Sequence, residues 1–451
     1  MVRRFFGAVT NAPQLVARGR IHTTAGEERE FKRLITEHSC SGVGAYDFDT
    51  DFLIYGKEEG DYPEDKNLTI INVPMNEGRL DHTRMPRNIK DKYFVGIYAE
   101  IFTNKKVKIG NESYGIHEWL TLRNQQQPYV IGIAEFNMMA ASFAVFDTLG
   151  IKNTFDVSSS IFYPKYLQFL GIDVTKYQVP GFDFAEPGDW EEGPEIWQEG
   201  ANRNELNKEY HRDKNKEEER DLNQESNRYY EELRLNTDNT IDVKPDFISL
   251  FRGVKYHFIN QHPYGIFNDF PYHGKIVYMG GIHVEERNIL TNEEKTQSID
   301  KKEKKSECIV LVTFGTIGNL SGTLNAIQVK SMFDQFKLYK NCIFKVRLAE
   351  NLLPDNYSKN IHITSGFLPQ QEAMYAGVPL ICIPFSNDQF YNSSIVEHLG
   401  IGIYVKILGT GVRKEVQYGN NEFEHSEYMK YKNNKFNDDF IRAFNEIFGN
   451  E

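Results

Sequence analysis

The sequence of 451 residues has no long apolar run, no excess of basic residues and few cysteines. No stretch approaches the roughly eighteen consecutive apolar residues that span a bilayer, so the sequence predicts no transmembrane helix. The formal net charge of −12 argues against binding to nucleic acid or to an anionic membrane surface, because both are negatively charged. No carboxylate cluster or histidine pair has the spacing of metal ligands, so no metal site is predicted.

The four cysteines are Cys40, Cys308, Cys342 and Cys382. The last three lie in apolar, strand-like runs, and no pair has the spacing of a zinc site. A free cysteine inside a protein behaves as a small hydrophobic side chain. This placement favours buried thiols over disulfide or metal ligation.

What the sequence does contain is typical of a globular protein. Hydrophobic residues make up 40% and aromatic residues 13% of the chain, and this composition supports a folded core rather than disorder. The length is sufficient for two or three domains.

Residues 1–27 differ in composition from the rest of the chain. They contain Arg3, Arg4, Arg18 and Arg20 and no acidic residue before Glu27. Basic residues without a continuous apolar core are typical of a mitochondrial transit peptide rather than of a secretory signal. A surface helix, or an incorrect start of the gene model, explains the same residues.

Strands and helices alternate in both halves of the chain. Residues 129–136 read as a strand, 138–150 as a helix ending at a glycine and 151–159 as a further strand; the C-terminal half repeats the pattern from residue 308. This alternation predicts an α/β protein with doubly wound parallel sheets. Residues 183–244 are rich in charge of both signs and predict a solvated helix or an inserted segment, and the polar residues 285–306 predict a linker between domains.

The stretch 361–406 carries most of the functional information. An apolar strand runs into Phe367 and Pro369-Gln370, and Glu372 follows almost at once. A Gly-Val-Pro turn then leads into a second apolar run that ends in Asp388-Gln389. Parallel sheets bind ligands beyond the carboxyl ends of their strands, so polar residues at these positions are candidate ligand contacts.

This stretch resembles the signature motif of the UDP-glycosyltransferases, and most closely that of the animal UDP-glucuronosyltransferases. The matching residues are Phe367, Pro369, Gln370, Glu372, Ala373, Gly377, Val378, Pro379, Asp388, Gln389 and Asn392. The family has roughly twenty residues between Pro-Gln and Glu-Ala, including a strand and a phosphate-binding turn that opens a helix. Here only Gln371 separates Gln370 from Glu372.

The resemblance implies a GT-B fold, in which two Rossmann-like domains face a cleft, with both domains incomplete in this chain. The N-terminal acceptor-binding domain is expected over residues 28–284, with the insertion at 183–244. The UDP-sugar-binding domain is expected over 307–408, after the linker at 285–306. Residues 409–451 are expected to form a polar tail that ends in an amphipathic helix.

The family also implies roles for individual residues of the donor site. Phe367 is expected to stack on the uracil, Gln370 to seat the nucleoside and Glu372 to accept hydrogen bonds from the ribose. Asp388 and Gln389 are expected to hold sugar hydroxyls.

Two further positions of the family pattern concern the diphosphate and the acceptor. Gly315 and Thr316 match a turn beside the diphosphate. Glu135 ends a strand where the family has an aspartate that orients the catalytic histidine. A carboxylate that caps or pairs at a strand end is the structural alternative for Glu135. No histidine matches the family's general base; His22 and His38 are present, but neither follows an apolar strand.

The implied reaction is the inverting transfer of a hexosyl or glucuronosyl group from a UDP-sugar to the hydroxyl of a small lipophilic acceptor. The UDP-sugar is a co-substrate, and the family requires no cofactor and no metal. Family members reside in the endoplasmic reticulum membrane and form homo- or hetero-oligomers. The alternative is a truncated, inactive relative that binds nucleotide or partner proteins only. A sugar-nucleotide epimerase of similar architecture is disfavoured by Asp388-Gln389.

Overall fold

The structure of the protein is a computed structural model. It describes residues 14–18, 50–56, 68–74, 101–158, 160–182, 184–189, 205–235, 246–281, 308–313, 324–348, 350–364, 373–374, 377–385, 388–407 and 422–448. The predicted linker at 285–306 lies outside these residues, so that boundary stays a prediction.

The described residues divide into two compact units. Unit 1 comprises the described residues up to Asp173, those within Glu217–Asn260 and residues 272–281. Unit 2 comprises the described residues of Val174–Lys216, of Gln261–Pro271 and of the C-terminal part of the chain. Val174–Lys216 and Gln261–Pro271 lie within residues 28–284, which the sequence assigns to the N-terminal domain. The α/β class is confirmed, because each unit contains parallel strands connected through helices.

Unit 1 contains nine of the described strands. They are β1 Gln14–Arg18, β2 Thr50–Gly56, β3 Leu68–Pro74, β4 Lys106–Ile109, β5 Glu112–Gly115, β6 Tyr129–Ala134, β7 Thr154–Ser158, β8 Tyr256–Ile259 and β9 Ile276–Tyr278. Seven of them form one sheet in the order β3-β2-β1-β6-β7-β8-β9, and β4 and β5 form a separate antiparallel pair. The strands from β6 to β9 are parallel, as the alternation of strands and helices predicts.

Strand β1 lies within residues 1–27, for which the sequence analysis gives a transit peptide as one interpretation. It pairs antiparallel with β2 on one side and with β6 on the other. A mature chain that begins after Arg18 would therefore lack a strand that joins the two parts of this sheet.

The described helices begin in unit 1. Helices α1 Ile116–Gln126, α2 Phe136–Met139, α3 Ala141–Thr148 and α5 Phe247–Gly253 belong to unit 1. Helix α4 Glu205–Leu235 belongs to unit 2 up to Lys216 and to unit 1 from Glu217. Helix α3 is buried along most of its length, and its Phe146 side chain packs on β6 at Gly132. A Cβ atom at Gly132 would lie 2.7 Å from the Phe146 ring, so this close approach of helix and strand requires a glycine.

Helix α4 confirms the helix expected in the charged segment but corrects the expectation of a fully solvated helix. One stripe at helical spacing is buried: His211, Asn215, Leu222, Ser226 and Tyr230. Most of these side chains are polar, so a pattern of apolar residues does not reveal the buried face.

Unit 2 contains two small parallel sheets. Strands β10 Cys308–Thr313, β11 Cys342–Arg347 and β12 Ile361–Ile363 form one in that order, and β13 Leu380–Cys382 and β14 Gly402–Tyr404 form the other. The helices that follow α5 in the described chain are α6 Ala326–Leu338, α7 Asp388–His398 and α8 Glu422–Phe448. One hydrophobic core joins these elements: Phe344 of β11, Ile403 of β14 and Phe336 of α6 pack in the same cluster as Phe440 and Phe444 of α8.

The interpretation of all the C-terminal cysteines as buried thiols is wrong for two of them. Cys308 and Cys342 form a disulfide between the first residues of β10 and β11, which are directly paired in the parallel register. Their Cα atoms are 4.5 Å apart. Cys382 remains a free thiol, and burial raises its pKa to about 12, as expected for a cysteine in apolar surroundings.

Replacing Gly132 by alanine is expected to lower the free energy of unfolding by about 1–3 kcal/mol, because the new methyl group overlaps the Phe146 ring. Urea denaturation followed by circular dichroism measures the change. Gly253→Ala is the matched control, since a Cβ there meets no atom within 4 Å. Equal stability of Gly132→Ala and the wild type would contradict the packing described.

Loss of the Cys308–Cys342 disulfide is expected to destabilise the protein. The bond closes a loop with a sequence separation of 34 residues, and chain entropy alone predicts a loss of about 3–4 kcal/mol. Guanidinium denaturation with and without reductant measures it. The double variant Cys308→Ser/Cys342→Ser should be about as unstable as the reduced wild type, whether or not reductant is present. Alkylation of both cysteines in the unreduced, denatured protein would show that the bond does not form.

Candidate functional site

The structure describes three of the eight predicted site residues. Glu135 lies in unit 1, and Asp388 and Gln389 lie in unit 2. The other five predicted residues fall outside the described part of the chain: Gly315, Thr316, Phe367, Gln370 and Glu372. Their roles stay predictions, and so does the general base, because His22 and His38 also fall outside it.

Asp388 and Gln389 open helix α7, just beyond the carboxyl end of strand β13. Both side chains are half-buried. The Gln389 side chain closes the turn, because its Oε1 accepts a hydrogen bond from the Phe385 backbone N–H at 3.0 Å. This bond leaves the Nε2 hydrogens of Gln389 as its donors to a ligand.

The position of Asp388 suits a carboxylate on electrostatic grounds. It lies in the first turn of α7, where the helix dipole and the exposed backbone N–H groups stabilise a negative charge. An ionised aspartate accepts hydrogen bonds and donates none. Asp388 and Gln389 together therefore offer a ligand an acceptor and a donor at one end of a strand.

In unit 1, the carboxyl end of β6 leads through Glu135 into helix α2. Glu135 occupies the N-cap position of α2 but makes no capping hydrogen bond with its side chain. Asp156 of β7 supplies the cap instead, since its Oδ1 accepts from the Phe136 backbone N–H at 2.8 Å. Glu135 therefore does not cap α2, which the adjacent strand does instead, and the pairing alternative for Glu135 stays a prediction.

The second carboxylate oxygen of Asp156 holds a histidine that sequence analysis did not single out. His257 of β8 faces Asp156 across the parallel register, with 2.8 Å between its Nδ1 and Asp156 Oδ2. The imidazole is fully buried and stacks on Phe251, with ring centroids 4.3 Å apart. His257 Nε2 has no hydrogen-bond partner among the described atoms. A histidine enclosed in this way stabilises the sheet and is not reached by a substrate.

A small cavity of about 10 Å³ lies beside Asp156. Its polar lining comes from Asn137, Asp156, Ser158 and Tyr163, and its apolar lining includes Phe162 and Phe251. Ligand pockets usually measure about 300–1,000 Å³, whereas a cavity of about 10 Å³ holds about one water molecule. This cavity is therefore too small for an acceptor.

Tyr166 also lines this cavity and is held neutral. Burial raises the pKa of Tyr166 well above its ordinary value, and the neighbouring Tyr163, Asp156 and Glu135 raise it further. Its hydroxyl donates to Asn137 Oδ1 at 3.3 Å. The cavity therefore presents hydrogen-bonding groups rather than a phenolate.

Metal chemistry has no support among the residues that the structure describes. They contain no group of three or more His, Cys, Asp or Glu side chains placed to bind a metal ion. None of the described helices is both long enough and apolar enough to cross a bilayer.

Comparison with known proteins finds that part of the chain is similar to viral UDP-glucosyltransferases. No protein-family model matches it. The ecdysteroid UDP-glucosyltransferase of Spodoptera littoralis nuclear polyhedrosis virus is 25% identical to it over 235 residues, which cover 46% of this chain and 44% of the viral protein. That of Lacanobia oleracea granulosis virus is 30% identical over 157 residues, 30% of this chain and 32% of the viral protein. These similarities support the UDP-glycosyltransferase family.

The chain spans less than half the length of the viral UDP-glycosyltransferases that it matches. Among solved structures, Phytolacca americana UGT2 aligns with a TM-score of 0.42 and 12% identity over 92% of both chains. A glycotransferase of kitacinnamycin aligns with a TM-score of 0.41 and 13% identity over 82% of both. TM-scores this low do not bear on function.

Asp156 and Glu135 are expected to respond differently to substitution. Asp156→Ala should lower the free energy of unfolding by about 1–3 kcal/mol for each of its two buried hydrogen bonds. Glu135→Gln, which keeps size and removes charge, should change it by less than about 1 kcal/mol, because Glu135 caps no helix. Chemical denaturation of both variants measures the difference. Equal losses would show that Asp156 does not hold α2 and β8 together.

Proposed function

We propose that the protein transfers a hexosyl group from a UDP-sugar to a hydroxyl group of a small lipophilic acceptor. The observation that carries the proposal is the placement of Asp388 and Gln389 at the start of α7, directly after β13. The similarity of part of the chain to viral ecdysteroid UDP-glucosyltransferases supports it. UDP-glucose is therefore the first donor to test, and UDP-glucuronate, which the animal family uses, is the second.

The donor end of the reaction rests on unit 2. The Asp388 carboxylate is suited to accept hydrogen bonds from two sugar hydroxyls, and the Gln389 Nε2 group to donate to a third oxygen. Such contacts fix the anomeric carbon relative to the acceptor. Positioning of this kind lowers the barrier by converting a bimolecular encounter into a reaction between two held groups.

The acceptor end of the proposal rests on unit 1. Glu135 ends β6 where the family has a carboxylate, and the cavity beside Asp156 combines aromatic walls with polar groups. This cavity admits about one water molecule and no part of an acceptor, so Glu135 alone carries the acceptor end of the proposal. The viral relatives are named for ecdysteroids, so a hydroxylated steroid is a suitable acceptor to test.

The proposed chemistry is direct displacement at the anomeric carbon with inversion. A base removes the proton of the acceptor hydroxyl while UDP leaves, which contributes a factor of roughly 10²–10⁴. Backbone N–H groups at a helix start stabilise the leaving diphosphate. The reaction needs no cofactor beyond the UDP-sugar co-substrate and no metal.

A gap in the donor domain is part of the proposal. The strand order among the described residues of unit 2, which do not include 365–372, is consistent with it. The doubly wound order 3-2-1-4-5-6 places the fourth strand between the first and the fifth. Here β12, β11 and β10 match strands 3, 2 and 1, and β13 and β14 match strands 5 and 6 as a separate pair. A fourth strand belongs between β12 and β13 in sequence, where the signature motif is short by a strand and a phosphate-binding turn.

Binding and turnover are tested separately. Isothermal titration with UDP and with UDP-glucose is expected to show binding of both. Asp388→Asn and Gln389→Glu should each lower the affinity for UDP-glucose by about 10–100-fold and leave the affinity for UDP almost unchanged. Gln389→Glu keeps the oxygen that accepts from Phe385 and removes the Nε2 donors.

Asp334→Asn is the matched control, because Asp334 is exposed and forms an ion pair with Lys330 of the same helix. The absence of UDP binding at millimolar concentration would overturn the proposed function. Binding of UDP without transfer of glucose to a hydroxysteroid would instead favour the inactive relative.

A further inference from the structure

Helix α7 is held at its C-terminal end by two segments that precede it by more than a hundred residues. The first segment, residues 184–189, is called the strap. The Gly188 backbone N–H donates to Glu397 Oε2 at 2.8 Å, and this bond is buried. A buried hydrogen bond to a carboxylate is stronger than one between neutral groups, so it fixes the last turn of α7 to the strap.

The strap itself is fastened to unit 2 by three further contacts. The Tyr404 hydroxyl donates to the Ala185 carbonyl at 3.1 Å, and Lys406 pairs with Glu186 at 2.7 Å. Asp189 Oδ2 lies 2.9 Å from Nε2 of the buried His211. Burial raises the pKa of Tyr404 well above its ordinary value, with Glu186, Glu397 and Asp189 adding to the effect, so the hydroxyl keeps its proton and remains a donor. The strap is therefore a fixed support.

The second segment holds the adjacent residue of α7. The Asn268 backbone N–H donates to His398 Nε2 at 3.1 Å. Phe267 is fully buried, and its ring packs against both Tyr391 and His398 at centroid distances of 5.1 Å. This ring contacts α7 near its middle and at its end, so it fixes the rotation of the helix about its axis.

The two hydrogen bonds act on the end of α7 opposite to Asp388 and Gln389, whereas the Phe267 ring also reaches Tyr391 in the first half of the helix. Eight residues separate Gln389 from Glu397, which is about 12 Å along a helix. A tilt of about 5° at the supported end would therefore move the start of the helix by about 1 Å. Displacements of that size in a reacting complex cost on the order of 10²-fold in rate.

We propose that Glu397 and His398 are positioning residues that aim Asp388 and Gln389 at the donor sugar. The inference rests on the proposed function, because it takes the start of α7 to be the sugar-binding end. It adds that two segments that the sequence assigns to the N-terminal domain determine how the donor sugar is held. Neither Glu397 nor His398 touches the substrate.

The test compares variants that keep or remove the hydrogen-bond acceptor. Glu397→Gln and His398→Gln each retain an oxygen that accepts the backbone N–H. Glu397→Leu and His398→Phe remove the acceptor at similar volume, and phenylalanine also preserves the ring contact with Phe267. For Glu397→Leu and His398→Phe we expect UDP-glucose affinity to fall at least about tenfold, with UDP affinity changed less than about twofold. Glu397→Gln and His398→Gln should stay within about threefold of the wild type for both ligands.

Hydrogen exchange of the unliganded protein provides a readout that needs no substrate. The backbone amides of Phe390 and Tyr391 should exchange faster in Glu397→Leu and His398→Phe than in the glutamine variants, when each variant is measured at the same interval below its own Tm. Unchanged exchange would overturn the positioning role whether or not nucleotide binds. Equal loss of UDP and UDP-glucose affinity would also overturn it, since that pattern indicates general damage to unit 2. If the wild type binds no nucleotide but exchange changes as expected, only the proposed function fails.

Discussion

A buried backbone N–H group must have an acceptor, and in both units of this protein a buried carboxylate provides it. Asp156 accepts from the Phe136 N–H at the start of α2, and Glu397 accepts from the Gly188 N–H of the strap. Removing such an acceptor leaves a buried donor unsatisfied, which costs about 1–3 kcal/mol. These two bonds connect elements that are 20 and 209 residues apart in sequence. Each bond therefore gives a buried N–H group an acceptor and also holds together two elements that are separate in sequence.

The parts of the fold that depend on apolar patterning could be predicted from the sequence. Strands β6, β7, β10 and β11 are short apolar runs flanked by turn residues, and the structure has strands at these positions. Helix α6 begins at the capping box of Asn325 and Gln328, where an asparagine side chain accepts from the first turn. In these segments local propensity and tertiary packing favour the same conformation.

The parts that depend on long-range contacts could not be predicted in this way. The Cys308–Cys342 bond requires knowing that two strands 34 residues apart begin side by side. The buried stripe of α4 is polar, and its partners lie far away in sequence: Asn215 donates to the Val179 carbonyl, and His211 binds Asp189. Hydrophobic periodicity cannot identify a face that is buried through hydrogen bonds. The predicted site divides in the same way, since Asp388 and Gln389 follow a strand whereas the supports of α7 come from distant segments.

Under the proposed function, sugar-nucleotide binding and turnover place different demands on this chain. Binding of the sugar requires Asp388 and Gln389 to be held in place, and the described contacts of α7 provide a rigid support for them. Turnover also requires a base and a set of donors for the departing diphosphate, and the loss of a single donor of that kind costs about 2.7–4 kcal/mol, or roughly 10²–10³ in rate. The signature motif is short at the point where the family has those donors. The residues that recognise the sugar can therefore be intact in a protein whose rate is low, and affinity for UDP-glucose is a more direct measure of the α7 site than activity is.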